Sequence, residues 1–254
     1  MNGLLLALLE ASRLRPLDPF RQPESQPRRP SLLQALRGRE RLSLLAEFKR
    51  RSPSDHELAP TADLATQLRS YQQGCASGVS VLTEPTRFGG SLDDLRAAVA
   101  ITALPILRKD FLVRPEQVAE SRAHGASAVL LIARCLPGSQ LQELVHACRT
   151  EGIEMLIECH DEGDLECALS YQDAMIGINN RDLDTLHIDR EVFLQLAPRI
   201  PRDRVVVAES GYQEPAHVEP LLGLADAVLV GTALMRGGDA ARWCNRSIVA
   251  RNRS

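Results

Sequence analysis

The sequence predicts a (β/α)8 barrel with an N-terminal helical extension, and three observations support this. After residue 41, short apolar runs alternate eight times with amphipathic helical segments. The runs are apolar on both faces, which is typical of parallel strands covered by helices on each side. The chain contains no GxGxxG turn, which is common in doubly wound dinucleotide-binding folds. Eight βα units in about 210 residues therefore favour a closed barrel over an open sheet.

The first forty residues differ in composition from the rest. Leu5 and Leu9 lie near helical spacing, which predicts a short amphipathic helix close to the N-terminus. Five prolines between Pro16 and Pro30 predict an extended connector, and a short leucine-rich helix follows it. We therefore expect one domain, in which residues 1–40 form a helix and a proline-rich connector and residues 41–254 form the barrel.

Eight apolar runs of about five residues predict the strands. They are residues 42–48, 78–82, 104–107, 128–132, 154–157, 174–178, 204–208 and 227–230. The helical patterns that follow them are residues 64–71, 92–100, 115–123, 141–148, 165–169, 191–196, 215–222 and 233–243. This alternation implies parallel pairing throughout the sheet.

Composition excludes several classes of protein. The formal net charge is −3 and the chain has only 5 Phe, 3 Tyr and 1 Trp, so we expect no nucleic-acid partner. There is no run of 18 apolar residues, so we expect no membrane-spanning segment. The six cysteines form no CxxC pair, which favours reduced thiols in a cytoplasmic protein.

Polar residues cluster at the predicted carboxyl ends of the strands, where barrels of this class place their active sites. These positions are Glu47, Thr83-Glu84, Arg108-Lys109-Asp110, Glu158, Asn179-Asn180-Arg181 and Glu209-Ser210. A single group of this kind commonly serves only as a structural ion-pair partner. Six strand ends on one rim indicate an active site, because inward-facing charges are costly unless they are paired or used.

The loops after the last two strands predict a phosphate site. Ser210-Gly211 and Gly231-Thr232 are small and follow strands seven and eight, whose loops usually bind phosphate in barrels. The alternative is that both glycines serve only tight turns. We expect a small phosphorylated anion as substrate. No zinc-binding pattern of histidines is present, so we expect no catalytic metal.

Seven segments resemble the indole-3-glycerol phosphate synthase family, in order, over about residues 42–240. They are 46–54 (AEFKRRSPS), 80–91 (SVLTEPTRFGGS), 105–111 (PILRKDF), 157–162 (IECHDE), 176–183 (IGINNRDL), 208–211 (AESG) and 228–235 (VLVGTALM). The resemblance implies a cofactor-free carboxy-lyase of tryptophan biosynthesis. Its substrate would be 1-(2-carboxyphenylamino)-1-deoxyribulose 5-phosphate, and its products indole-3-glycerol phosphate, CO2 and water. Members of the family are often monomeric, so we expect a monomer or a weak homo-oligomer.

The resemblance also implies roles for individual residues. Lys109 would be the general acid that protonates the substrate carbonyl, and Glu158 the general base of the dehydration. The residues implied in the chemistry are Glu47, Lys49, Lys109, Glu158, Asn179 and Ser210. Those implied in substrate binding are Ser52, Phe111, Leu130, Arg181, Leu183, Glu209, Gly211, Leu229, Gly231 and Thr232. We further expect neighbouring cations and apolar walls to lower the pKa of Lys109.

Two departures and three alternatives remain at this stage. Asp55-His56 stand where the family usually has Lys-Gly, and the first forty residues match the family's leading helix poorly. The alternatives are a phosphoribosylanthranilate isomerase-like barrel, a Schiff-base aldolase using Lys109, and a non-catalytic phosphate-ligand binding protein. The first would use a cysteine and an aspartate at strand ends, whereas strand one here ends in Glu-x-Lys.

Overall fold

The structure, a computed structural model, describes residues 3–19, 29–37, 42–53 and 58–244. Within these residues, eight parallel strands pair in chain order, and β8 pairs with β1 to close a barrel. The strands are β1 (Ser43–Phe48), β2 (Gly78–Leu82), β3 (Ile106–Lys109), β4 (Ala128–Ile132), β5 (Glu154–Cys159), β6 (Met175–Asn179), β7 (Val206–Glu209) and β8 (Ala227–Val230). The predicted fold class is therefore confirmed.

Helices follow the strands and cover the outside of the barrel. The α-helices among the described residues are α1 (Gly3–Leu14), α2 (Leu32–Leu36), α3 (Leu64–Gln73), α4 (Leu92–Ile101), α5 (Pro115–Ala123), α6 (Ser139–Glu151), α7 (Glu162–Leu169), α8 (Glu191–Leu196), α9 (Thr232–Met235) and α10 (Ala241–Cys244). Three 3-10 segments lie at Ala133–Cys135, Ala197–Arg199 and Pro215–Leu221. In this part of the chain, no helix has the length and apolar character needed to cross a membrane.

The strands are buried on both faces, as their apolar composition predicts. Every residue of β1, β2, β4, β6, β7 and β8 is buried. The two partly exposed strand residues are Glu154, which begins β5, and Lys109, which ends β3. Burial on both faces leaves the strand ends as the places where polar side chains can reach solvent.

Several predicted elements differ from the observed ones in their bounds or type, and three of these differences have a clear physical cause. The helix predicted over 233–243 is wrong: α9 and α10 are separate, because Gly237 has a φ of +86° and breaks the helix. The helix predicted over 215–222 is a 3-10 segment with Pro220 inside it, where the ring removes a helical hydrogen bond. The third strand begins two residues later than predicted, because Pro105 has no N–H to donate to the ladder.

The N-terminal helix lies across the mouth of the barrel. Leu5 and Leu8 are buried there, and Ser12 at the other end of α1 donates a hydrogen bond to the carbonyl of Phe111. Gln117 Nε2 in turn donates to the carbonyl of Ser12 at 3.0 Å. The extension is therefore packed on the face that carries the polar strand ends. The middle of the predicted proline-rich connector, residues 20–28, lies outside the described residues.

Candidate active site

A cavity of about 350 Å³ opens at the carboxyl ends of the strands. Its wall contains fifteen of the sixteen residues that the sequence predicts for the site: Glu47, Lys49, Ser52, Lys109, Phe111, Leu130, Glu158, Asn179, Arg181, Leu183, Ser210, Gly211, Leu229, Gly231 and Thr232. The sixteenth, Glu209, lies behind this wall and is 0% exposed. Residues far apart in sequence meet here because parallel strands end at one rim.

Four ionisable side chains from alternate strands meet at the base of the cavity, three of them in its wall and Glu209 behind it. They are Glu47 on β1, Lys109 on β3, Glu158 on β5 and Glu209 on β7. Lys109 Nζ donates to Glu158 Oε2 at 3.3 Å and also to Glu209 Oε2. Alternate strands of such a barrel contribute one layer of inward side chains, so this charged group replaces one apolar layer of the core.

The electrostatics of Lys109 contradict the expectation from the sequence. Burial alone lowers the pKa of this lysine, but the charges of Glu209, Glu158 and Glu47 outweigh burial and raise the pKa above its usual range. The expected lowering is therefore wrong. The nearest neighbours of Lys109 are carboxylates and not cations, so the lysine is held in its protonated form.

The two glutamates beside Lys109 titrate differently although both are buried. Burial and the adjacent charge of Glu158 raise the pKa of Glu209 to about 8. Burial also raises the pKa of Glu158, but Lys109 and His160 outweigh it and hold it below its usual range. The two carboxyl groups are close enough to shift each other's pKa, so the pair favours holding a single proton. At neutral pH, Glu209 therefore carries the shared proton and Glu158 is the carboxylate.

A second ion pair lies at the end of β1. Lys49 Nζ is 2.7 Å from Glu47 Oε1. A Cβ atom on Gly231 would collide with Glu47 Oε1, so the absence of a side chain at residue 231 makes room for this pair. Asn179 hydrogen-bonds the Glu158 carboxylate and accepts the backbone N–H of Arg181 at 3.0 Å. It thereby connects Glu158 to the loop after β6.

The predicted phosphate end has an unusual backbone. Ser210 and Gly211 both have positive φ values, 63° and 86°. Asn180 Nδ2 donates to the Ser210 carbonyl at 3.1 Å and stabilises this turn. A positive φ is costly for serine, so the turn is maintained by its surroundings. The loops after β7 and β8 line one wall of the cavity, where Arg181 and Lys49 supply positive charge.

Sequence reasoning missed several residues of the cavity. Those it did not name include Leu4, Leu5, Leu8, Leu82, Phe88, Ile132, Leu186, Ile188, Tyr212 and Arg236. The spacing of the leucines predicted helix α1 but not its contact with the cavity, because that contact depends on tertiary packing. The departure at Asp55-His56 lies outside the described residues. In the part of the chain that the structure describes, no group of three or more His, Cys, Asp or Glu residues fits a metal ion.

Comparisons with known proteins agree with this geometry. The sequence profile described as indole-3-glycerol phosphate synthase matches residues 6–246. A protein of that name from Parafrankia sp. is 47% identical over 204 residues, which cover 80% of this chain and 76% of the relative. One from Nocardioides sp. is 49% identical over 198 residues, covering 78% and 76%.

A solved structure shows the same fold at low sequence identity. The tryptophan synthase alpha chain from Legionella pneumophila subsp. pneumophila has a TM-score of 0.57 at 14% identity. The match covers 83% of this chain and 90% of that one. At this identity, the likeness concerns the barrel fold alone.

Proposed function

The chain belongs to the indole-3-glycerol phosphate synthase family, and we propose that its cavity converts 1-(2-carboxyphenylamino)-1-deoxyribulose 5-phosphate into indole-3-glycerol phosphate. This activity makes it a carboxy-lyase of tryptophan biosynthesis. The observation that carries the proposal is the position of Lys109, whose ammonium group lies at the cavity wall between Glu158 and Glu209. A protonated donor and an ionised acceptor are thereby 3.3 Å apart in one site.

Lys109 supplies the proton for ring closure. As the aromatic carbon attacks the substrate carbonyl, negative charge develops on the carbonyl oxygen, and a positioned acid must neutralise it. The surrounding carboxylates keep Lys109 charged in the resting site. Ring closure leaves a cationic ring, which takes up the electron pair released when CO2 departs.

Glu158 then acts as the base of the dehydration. It is ionised while Glu209 holds a proton, so it can accept the proton that the ring loses and pass it to the departing hydroxyl group, which leaves as water. Asn179 orients the Glu158 carboxylate through a hydrogen bond. The positions of Glu47 and Lys49 support a role in holding the sugar hydroxyl groups and the carboxylate.

Substrate binding divides between apolar and polar walls of the cavity. We assign the aromatic ring to the apolar residues Phe111, Leu130, Leu183 and Leu229. We assign the phosphate and carboxylate to Ser52, Arg181, Gly211, Gly231 and Thr232, with Ser210 orienting the substrate. Burying the ring against apolar side chains provides binding energy that is independent of the acid–base chemistry.

The deciding experiment follows indole fluorescence with purified protein and the arylamino-deoxyribulose phosphate. We expect the wild type to form the indole product and Lys109→Ala to lose about 10²–10⁴-fold in kcat, because one positioned acid contributes that much. Arg149→Ala is the matched control, since Arg149 forms an exposed ion pair with Asp173 at the protein surface. Circular dichroism checks that each variant is folded.

Two results contradict the proposal in different ways. If the wild type forms no indole product, the proposed reaction is wrong. If Lys109→Ala keeps wild-type kcat, the reaction stands but the role of Lys109 is wrong.

We also propose the setting in which the enzyme works. All six cysteines are free thiols, which fits a reducing cytoplasm. We propose a monomer or a weak homo-oligomer that binds no nucleic acid. Sedimentation velocity at two protein concentrations tests the oligomeric state, and a stable larger assembly would contradict it.

A further inference from the structure

His160 is a buried, titratable side chain for which the reaction described above has no role. It follows the strand that carries Glu158, and its side chain is 3% exposed. Residues two apart on an extended chain point to the same side, so His160 lies beside Glu158 while Cys159 points away. His160 Nε2 is 3.3 Å from Glu158 Oε1. The other oxygen of the same carboxylate, Oε2, accepts from Lys109.

A second carboxylate flanks the opposite edge of the imidazole. His160 Nδ1 is 3.5 Å from Asp164 Oδ2, and the backbone N–H of His160 donates to that same oxygen at 2.9 Å. Burial raises the pKa of Asp164, but its close contact with the His160 ring, the hydrogen bond from the backbone N–H of His160 and the charge of Arg134 outweigh burial and lower it. Asp164 therefore stays ionised. Arg134 Nε lies 3.3 Å from Asp164 Oδ2 and fixes it from the rim.

The ring of His160 is thus between two carboxylates without completing a hydrogen bond to either. Neither ring nitrogen has a hydrogen-bond partner among the described residues, although both lie within ion-pair distance of an oxygen. Buried polar groups in folded proteins nearly always have a hydrogen-bond partner. A small rotation of the ring or of Glu158 would complete both hydrogen bonds.

We infer that His160 is a positioning residue for Glu158, and that Asp164 orients the imidazole for this task. The inference rests on the proposed function, since it concerns the base of that reaction. Lys109 holds one oxygen of Glu158 from the cavity, and His160 holds the other from the opposite side. The carboxylate then keeps a single orientation toward the substrate while protons move through it.

Other titratable groups surround this pair and contribute to any pH dependence. From the elements packed against it, they are Lys109 on β3, Arg134 and Cys135 after β4, Asp161 and Asp164 at α7, Asp182 after β6, and Glu209 on β7. They are the same in every variant of His160. Differences between those variants therefore report on residue 160 itself.

The test compares three replacements of His160. Leucine removes both nitrogens, glutamine keeps a donor at the position of Nε2 that faces Glu158, and asparagine keeps a donor only at the position of Nδ1 that faces Asp164. We expect His160→Leu to lose about 10-fold in kcat, because a hydrogen bond to a charged group is lost. We expect its KM to change by less than about twofold.

The pH profile separates positioning from a merely structural role. Without His160 the pKa of Glu158 rises, so the acidic limb of the kcat profile should move to higher pH by about one unit in His160→Leu. Glutamine should restore most of kcat, and asparagine should not. Equal losses in the glutamine and asparagine variants, or a wild-type profile in His160→Leu, would overturn the inference.

A measurement without substrate separates this inference from the proposed function. Nitrogen-15 NMR of labelled histidine, assigned with His160→Asn, reports the imidazole directly. We expect Glu158→Gln to shift the Nε2 signal of His160 and Glu166→Gln, on the exposed face of α7, to leave it unchanged. An unchanged signal in Glu158→Gln overturns the inference even if the wild type forms indole. A shifted signal supports the contact even if no indole product forms.

Discussion

Lys109 on β3 reaches across the barrel and donates a hydrogen bond to Glu209 on β7, the strand opposite it. Glu209 is fully buried and does not line the cavity, so we expect it to act on substrate through Lys109 and not by direct contact. This position gives Glu209 a role that differs from the substrate binding expected from the sequence. We expect it to control the protonation of Lys109 and to share a proton with Glu158.

The first prediction concerns Glu209→Gln. As pH rises through about 8, Glu209 ionises, and its new charge keeps Lys109 protonated. Replacing it with glutamine removes that charge and lowers the pKa of Lys109, so the acid loses its proton at lower pH. We expect the basic limb of the kcat profile to move to lower pH by about one unit or more. Steady-state kinetics across the alkaline range measure this shift.

Glu166→Gln is the matched control, because Glu166 has a side chain that is 73% exposed and lies 3.8 Å from Arg199. Its profile should coincide with that of the wild type. If the basic limb of Glu209→Gln also coincides with the wild type, then Glu209 does not control the protonation of Lys109.

The second prediction concerns Gly231→Ala. An added Cβ would collide with Glu47 Oε1 and lie 3.0 Å from Lys49 Nζ, so the ion pair between them must move. Displacing a positioning group by about 1 Å costs on the order of 10²-fold in rate. We therefore expect kcat/KM to fall by roughly 10–100-fold while the protein stays folded.

Gly163→Ala in α7 is the control, because its Cβ would only make an ordinary contact with Asp161. Alanine also favours a helix over glycine, so this variant should keep full activity and unfold at an equal or higher temperature. Wild-type kcat/KM in Gly231→Ala would show that the position of the Glu47–Lys49 pair does not limit catalysis.

The fold could be predicted from the sequence because strands that are covered on both faces appear as continuous apolar runs. Apolar runs such as 78–82 and 128–132 match β2 and β4 residue for residue. The sequence also predicts which residues line the cavity, since carboxyl ends of parallel strands share one rim. The break between α9 and α10 was not predicted, because it depends on the backbone conformation of Gly237 and not on the spacing of apolar residues.

The electrostatics of the site could not be predicted in the same way. The sequence shows that Lys109 ends a strand, but the sign of its pKa shift depends on which side chains face it across the barrel. Those neighbours come from β5 and β7, which lie 49 and 100 residues further along the chain. The closest cations in sequence, such as Arg108, point away into the wall between barrel and helices.

The last prediction concerns Arg108, which is fully buried behind the site and forms ion pairs with two buried carboxylates. Its guanidinium donates to Glu120 at 2.9 Å and to Asp110 at 3.2 Å. The charge of Arg108 helps to hold the pKa of Asp110 low against the effect of burial. Arg108→Met would leave both carboxylates buried without their shared cation. We expect a loss of about 3–5 kcal/mol in the free energy of unfolding, measured by urea denaturation.

Arg149→Met tests the same change at the surface, where the side chains of Arg149 and Asp173 are about half exposed and paired at 2.7 Å. An exposed pair contributes at most about 1 kcal/mol, so this variant should unfold close to the wild type. Equal stabilities for the two variants would mean that the network around Arg108 rearranges without cost. Comparing kcat in Arg108→Met and Arg149→Met is informative because Asp110, a partner of Arg108, directly follows Lys109 in the chain. A destabilised network would therefore also reduce kcat through the position of the acid, and Arg149→Met would leave kcat unchanged.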